Sequence, residues 1–97
     1  MGKIIFQIAY EIKPEKRTEF LALAAKLRTE LRSLGVTYGI YDVQGHENEF
    51  NEVFTCENQE EFDELEDHSN DTVQLLVDKL AKCMNGKMRY TTLREIE

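Results

Sequence analysis

The chain contains no tryptophan, one proline, two cysteines and two histidines in 97 residues, and each scarcity excludes something. With so little proline and only five glycines, the chain is neither collagen-like nor a proline-rich disordered polymer. Cys56 and Cys83 are too few and too far apart for a disulfide framework or a CxxC redox motif. They are expected to be reduced, partly buried thiols of a cytoplasmic protein. His46, His68, Cys56 and Cys83 lack ligand spacing, so no metal site is expected. Glu47, Glu49 and Asn51 offer oxygens at alternate positions but not in the pattern of a calcium loop. No run of about 18 apolar residues is present. The apolar start Ile4-Ile5-Phe6 is interrupted at Gln7 and Glu11, unlike a signal peptide. No membrane association is therefore expected. G-x-G-x-x-G, P-loop and G-x-S-x-G patterns are missing, so no cofactor is expected.

Positive charge is also in short supply. Twelve Lys and Arg face nineteen Asp and Glu, for a net charge of −7. No Lys or Arg falls between Arg32 and Lys79, a stretch that holds thirteen acidic residues. Such a field repels phosphates, so nucleic acid is not an expected partner. Basic residues gather around the first helix (Lys13, Lys16, Arg17, Lys26, Arg28, Arg32), but Glu15, Glu19 and Glu30 are interspersed with them. That mixture reads as a solvated face.

What is present is enough apolar material for one core: 41% hydrophobic residues, with five Phe and four Tyr. The length suits a single domain over residues 1–97. Residues 4–12 alternate with period two. Ile4, Phe6, Ile8, Tyr10 and Ile12 fall on one face, and Ile5, Gln7, Ala9 and Glu11 on the other, which predicts a strand. Pro14 and Glu15 suit the first turn of a helix. Phe20, Leu23, Ala24, Leu27, Leu31 and Leu34 hold helical spacing up to the stop at Gly35. A second strand is expected over 36–43, a hairpin loop over 44–49 and a third strand over 50–56. Asn58-Gln59-Glu60-Glu61 resembles a capping box that opens a second helix, with Phe62 and Leu65 facing inward. A pause near His68-Ser69-Asn70-Asp71 could cap a fresh turn. The helix then continues with Val73, Leu76, Val77, Leu80 and Met84 on one face, and a last strand spans about 87–94.

The order β-α-β-β-α-β predicts an α+β, ferredoxin-like fold: a four-stranded antiparallel sheet with both helices on one face. Ile5, Ala9, Tyr41 and Val43 would lie on the uncovered face. A second copy of the same sheet is the simplest cover for them, which makes a homodimer the expected assembly.

The whole element order resembles the dimeric α+β-barrel superfamily, most closely the antibiotic-biosynthesis monooxygenase-like group. Phe50 to Phe62 carries the likeness: an apolar strand bearing a Glu, a short acidic turn, and a helix opening with Glu-Phe. The resemblance implies a dimer with sheets packed face to face and a small cavity in each subunit between helices and sheet. Two features depart from the group. Cys56 stands where many relatives have a Trp, and Leu65 where many have a His, with His68 about one turn later.

The helix-facing rows are Phe6, Ile8 and Tyr10; Tyr38 and Ile40; Phe50, Glu52 and Phe54; and Met88 and Tyr90. Glu52, between two phenylalanines, would be desolvated and could act as a general acid or base, unless it pairs with a basic residue such as Arg89. His68 is the second candidate for proton transfer. Tyr10, Tyr38, Phe54 and Tyr90 are candidates to line a site for a small apolar or aromatic ligand. Three functions fit: a small-molecule-binding homodimer, a cofactor-independent monooxygenase or isomerase acting on an aromatic or polyketide-like molecule, or an acidic protein-interaction module.

Overall fold

The structure is a computed structural model that describes residues 2–68 and 70–96, without the side chains of Glu66 and His68. Strand β1 (Ile4–Glu11) leads through a single 3-10 turn, Pro14–Lys16, into helix α1 (Arg17–Ser33). Strands β2 (Thr37–Val43) and β3 (His46–Cys56) form a hairpin, followed by the short helix α2 (Gln59–Asp63). A 3-10 turn over Leu65–His68, helix α3 (Asp71–Ala81) and strand β4 (Arg89–Arg94) complete the order. All strand pairs are antiparallel, in the spatial order β2-β3-β1-β4. This is the ferredoxin-like arrangement, because each helical crossover skips the place that an antiparallel strand then fills.

Local chemistry explains most boundaries. Pro14 occupies the first turn, where its missing N–H has no partner to lose. Gly35 leaves α1 with φ of 84°, a region that costs side-chain-bearing residues about 1–2 kcal/mol. Asn58 Oδ1 accepts from Glu61 N at 2.8 Å, and Asn70 Oδ1 accepts from Val73 N at 2.8 Å. The second caps α3 afresh, so the expected long second helix is two helices.

Two expectations need correction. The hairpin connection is only Gln44-Gly45, not a loop reaching Glu49. Gly45, with φ of 86°, closes a tight turn, and β3 begins at His46. Glu49 and Asn51 therefore stand in a ladder, opposite Glu11 and Ala9. Val77 is exposed, because the buried stripe of α3 runs Val73, Leu76, Leu80 and on to Cys83.

The core lies between the helices and one sheet face. Phe20, fully buried, centres it, 4.6 Å from the Phe50 ring and 5.8 Å from Tyr10. Leu23, Ala24, Leu27 and Leu31 of α1 extend the layer at helical spacing. Cys56 and Cys83 are buried free thiols. On the opposite face, Ile5, Ala9 and Val53 are only half-buried, and Tyr41 and Leu93 are 59% and 45% exposed. Among the described residues, no helix is long and apolar enough to cross a membrane.

Candidate functional site

Period-two alternation places Glu52 on the helix-facing side of β3, midway along the strand. Its cross-strand partners are Ile8 on β1 and Ile40 on β2. Phe50 and Phe54 flank it along the strand, and Tyr10 and Tyr38 lie diagonally. Same-face neighbours on adjacent strands come within about 4.5–8 Å, so six apolar or aromatic side chains surround one carboxyl. Glu52 is only 6% exposed and is the one charged residue among the buried side chains described.

Its hydrogen bonding is specific. Tyr38 donates its hydroxyl to Glu52 Oε1 at 2.6 Å, a length typical of a hydroxyl bonded to a carboxylate. The Tyr10 hydroxyl, also buried, completes no hydrogen bond, yet it bears on the same carboxyl. Burial pushes the Glu52 pKa above its ordinary 4.5, and the two tyrosine hydroxyls pull it part of the way back. Both tyrosines are pushed far up, first by desolvation and then by the Glu52 charge. They stay protonated, and Tyr38 serves as the donor. Arg89 does not pair with Glu52, because it stands opposite Ala9 and so belongs to the other face of the sheet.

A chain of aromatic rings connects this pair to the surface. Phe54 lies 4.9 Å from the Tyr38 ring and 5.9 Å from Phe6. Phe6 in turn lies 5.8 Å from Phe62 and stacks at 6.0 Å on Tyr90, which is 59% exposed. Phe6, Phe54 and Phe62 are each only partly buried. The short α2 and its 3-10 extension cover this end of the sheet less completely than α1 and α3 cover the other. Among the described residues, the main surface grooves are not lined by Glu52, Tyr10 or Tyr38. A ligand would reach the carboxyl by parting the aromatic layer.

The structure thus brings together Tyr10, Tyr38, Glu52 and Phe54, with Tyr90 at the outer rim. The His68 side chain lies outside the described residues. Met88 precedes β4 and is exposed, so it leaves the helix-facing row. Phe6 and Phe62 complete the aromatic layer. Their apolar-inward periodicity placed them in the core, but nothing in the sequence marked them as neighbours of a carboxyl. His46 is exposed and sits 3.8 Å from Glu49. Among the described residues, no group of three or more His, Cys, Asp and Glu side chains could hold a metal ion.

No protein-family model matches the chain, and no curated protein matches it. Solved structures do. A conserved protein from Methanosarcina mazei Go1 superposes with a TM-score of 0.83 at 21% identity, over 99% of this chain and 95% of that one. A protein from Caulobacter crescentus CB15, provisionally assigned as an antibiotic biosynthesis monooxygenase, gives 0.83 at 18% identity, over 99% and 92%. A Bacteroides thetaiotaomicron VPI-5482 protein of unknown function gives 0.75 at 15% identity, over 97% and 98%. The chain therefore has the ferredoxin-like α+β fold of these solved structures, antibiotic biosynthesis monooxygenase-like proteins among them. At these identities the likeness concerns the fold.

Proposed function

We propose that the protein is a small-molecule-binding homodimer of the dimeric α+β-barrel type. Its ligand, apolar or aromatic, enters between α2 and the sheet and meets the Tyr38–Glu52 pair. The observation that carries this reading is the buried, tyrosine-bonded carboxyl of Glu52 at the end of a half-covered aromatic layer. Burying an ionisable carboxyl in a core costs stability unless something offsets it. A bonding partner for a ligand is a reason to keep one there. The exposed Tyr41 and Leu93, beside the half-buried Ile5, Ala9 and Val53, supply an apolar sheet face for a second copy.

The same carboxyl supports a second reading, a cofactor-independent monooxygenase or isomerase. A buried carboxyl with a raised pKa is suited to hold and pass on a proton, and several neighbours of like fold carry monooxygenase names. In that reading Glu52 moves the proton and Tyr38 orients the ligand. Native mass spectrometry of freshly purified protein tests the main proposal. A dimer mass with a retained small molecule, lost in Glu52→Gln or Phe54→Ala, is the expected result. A clean monomer would remove the homodimer, and retention unaffected by either substitution would remove the site. For the second reading, Glu52→Gln should abolish turnover without lowering the thermal midpoint.

A further inference from the structure

A groove that does not reach Glu52 itself runs between α1 and the edge strand β2. Its volume is about 430 Å³, within the range of small-ligand sites. The accessible lining is Leu21 and Ala25 of α1 and Ile40 and Tyr41 of β2, backed by the buried Phe20 and Phe50. Arg17 stands at one end and Arg28 at the other, with Asp42 on the β2 side. Two arginines against one aspartate make this lining locally positive, in a molecule whose net charge is −7.

Arg17 is held in place. Its guanidinium donates to the Glu47 carbonyl oxygen and lies 5.5 Å from the Phe50 ring centroid, face contact that leaves further N–H groups at its edge. A planar cation fixed in this way is suited to bidentate reading of a carboxylate. Arg28 is eleven residues further along α1, its backbone about 16.5 Å away at 1.5 Å per residue, so the two arginines enter the groove from well-separated points of the helix. The Glu47 contact and the Phe50 ring single out Arg17.

The geometry points to the α1–β2 groove as a binding site for a small amphiphilic carboxylate. Its apolar body lies against Leu21, Ala25, Ile40 and Tyr41, and its carboxylate is held by Arg17. The site shares Ile40 and Phe50 with the shell of Glu52, but neither Glu52 nor Tyr38 lines it. Apolar burial and charge complementarity act together here, since the floor alone would accept any apolar molecule and the arginine selects the anion.

The probe is 4-phenylbutyrate, with 4-phenylbutanol as its uncharged match, titrated into 15N-labelled full-length protein and followed by amide chemical shifts. The acid should saturate and shift Arg17, Leu21, Ala24, Ile40 and Asp42, and the alcohol should bind more weakly. Arg17→Gln, at a half-buried surface position, should weaken acid binding about tenfold or more and leave alcohol binding unchanged. Arg28→Gln should change acid binding less than about threefold, a screened long-range effect. Ala25→Met, at an exposed lining position, should block both probes. Three results would overturn the assignment: no saturable shifts at millimolar probe, as when a second copy covers the groove; shifts confined to Phe6, Phe54 and Phe62; or acid affinity insensitive to Arg17→Gln in a folded variant.

Discussion

Replacing Glu52 with Gln isolates the one buried carboxyl among the described residues without changing its shape. Glu52 has a folded pKa raised above its ordinary 4.5, chiefly by desolvation. The folded state therefore prefers the protonated form more strongly than the unfolded chain does. The stability associated with this group is fully present below pH 4.5 and is lost as pH rises through the folded value. Glutamine does not titrate. The stability of Glu52→Gln minus that of the wild type should thus be flat below about pH 4. It should climb above that by at most about 1.4 kcal/mol per pH unit, the value of one proton, and level off beyond the folded pKa. The plateau reads out that pKa directly. Tyr38→Phe removes the donor 2.6 Å from Oε1 and should extend the climb to higher pH, because an ionised buried acceptor loses about 1.5–3 kcal/mol with its partner and a neutral one about 0.5–1.5. The assay is urea unfolding by circular dichroism at stepped pH and fixed protein concentration, so that any dimer contribution stays constant. A flat difference between Glu52→Gln and wild type would refute the reasoning. A difference of opposite sign would mean that the two tyrosine hydroxyls outweigh desolvation and hold Glu52 ionised.

Other consequences follow from named contacts. Phe20→Ala, at a fully buried ring wedged against Phe50 and Tyr10, should cost about 3–5 kcal/mol in chemical denaturation; a loss below about 1 kcal/mol would show that this core is not close-packed. Asn70→Ala removes the side-chain acceptor for Val73 N and should cost about 0.5–2 kcal/mol, with faster amide exchange concentrated in the first turn of α3. Cys56 and Cys83 are buried, and both thiols are pushed above their ordinary value, first by desolvation and then by Glu61 and Glu19 respectively. Both should resist Ellman's reagent in native protein and react fully in denaturant; rapid native labelling of either would contradict the burial found here.

Much of the fold could be read directly from residue order. Period-two runs at Ile4–Ile12 and Phe50–Cys56, the 3.6-residue stripe from Phe20 to Leu31, and Gly35 each act locally, through backbone conformation or the face a side chain takes. Asn58 as a helix cap was legible for the same reason, since a cap bonds three residues ahead in the chain, whereas the fresh cap before α3 was narrowed only to His68-Ser69-Asn70-Asp71. The extent of β3 was not. Polar residues from His46 to Glu49 look like a loop until pairing with β1 and β2 supplies their backbone partners, and that pairing is a long-range event. Glu52 as a buried carboxyl was visible from its apolar flanks. Its partner was not, because choosing Tyr38 over Arg89 depends on register. The strand order β2-β3-β1-β4 sets Tyr38 one row from Glu52 on the helix side and turns Arg89 to the opposite face. The arginine-ended groove is likewise tertiary, since Arg17 and Phe50 are 33 residues apart and meet only once α1 lies over the sheet. Sequence by itself determined which elements form and which faces are apolar. Only the packed structure decided which polar groups those faces enclose, because hydrogen bonds and charges depend on separations of a few ångströms that local periodicity does not encode.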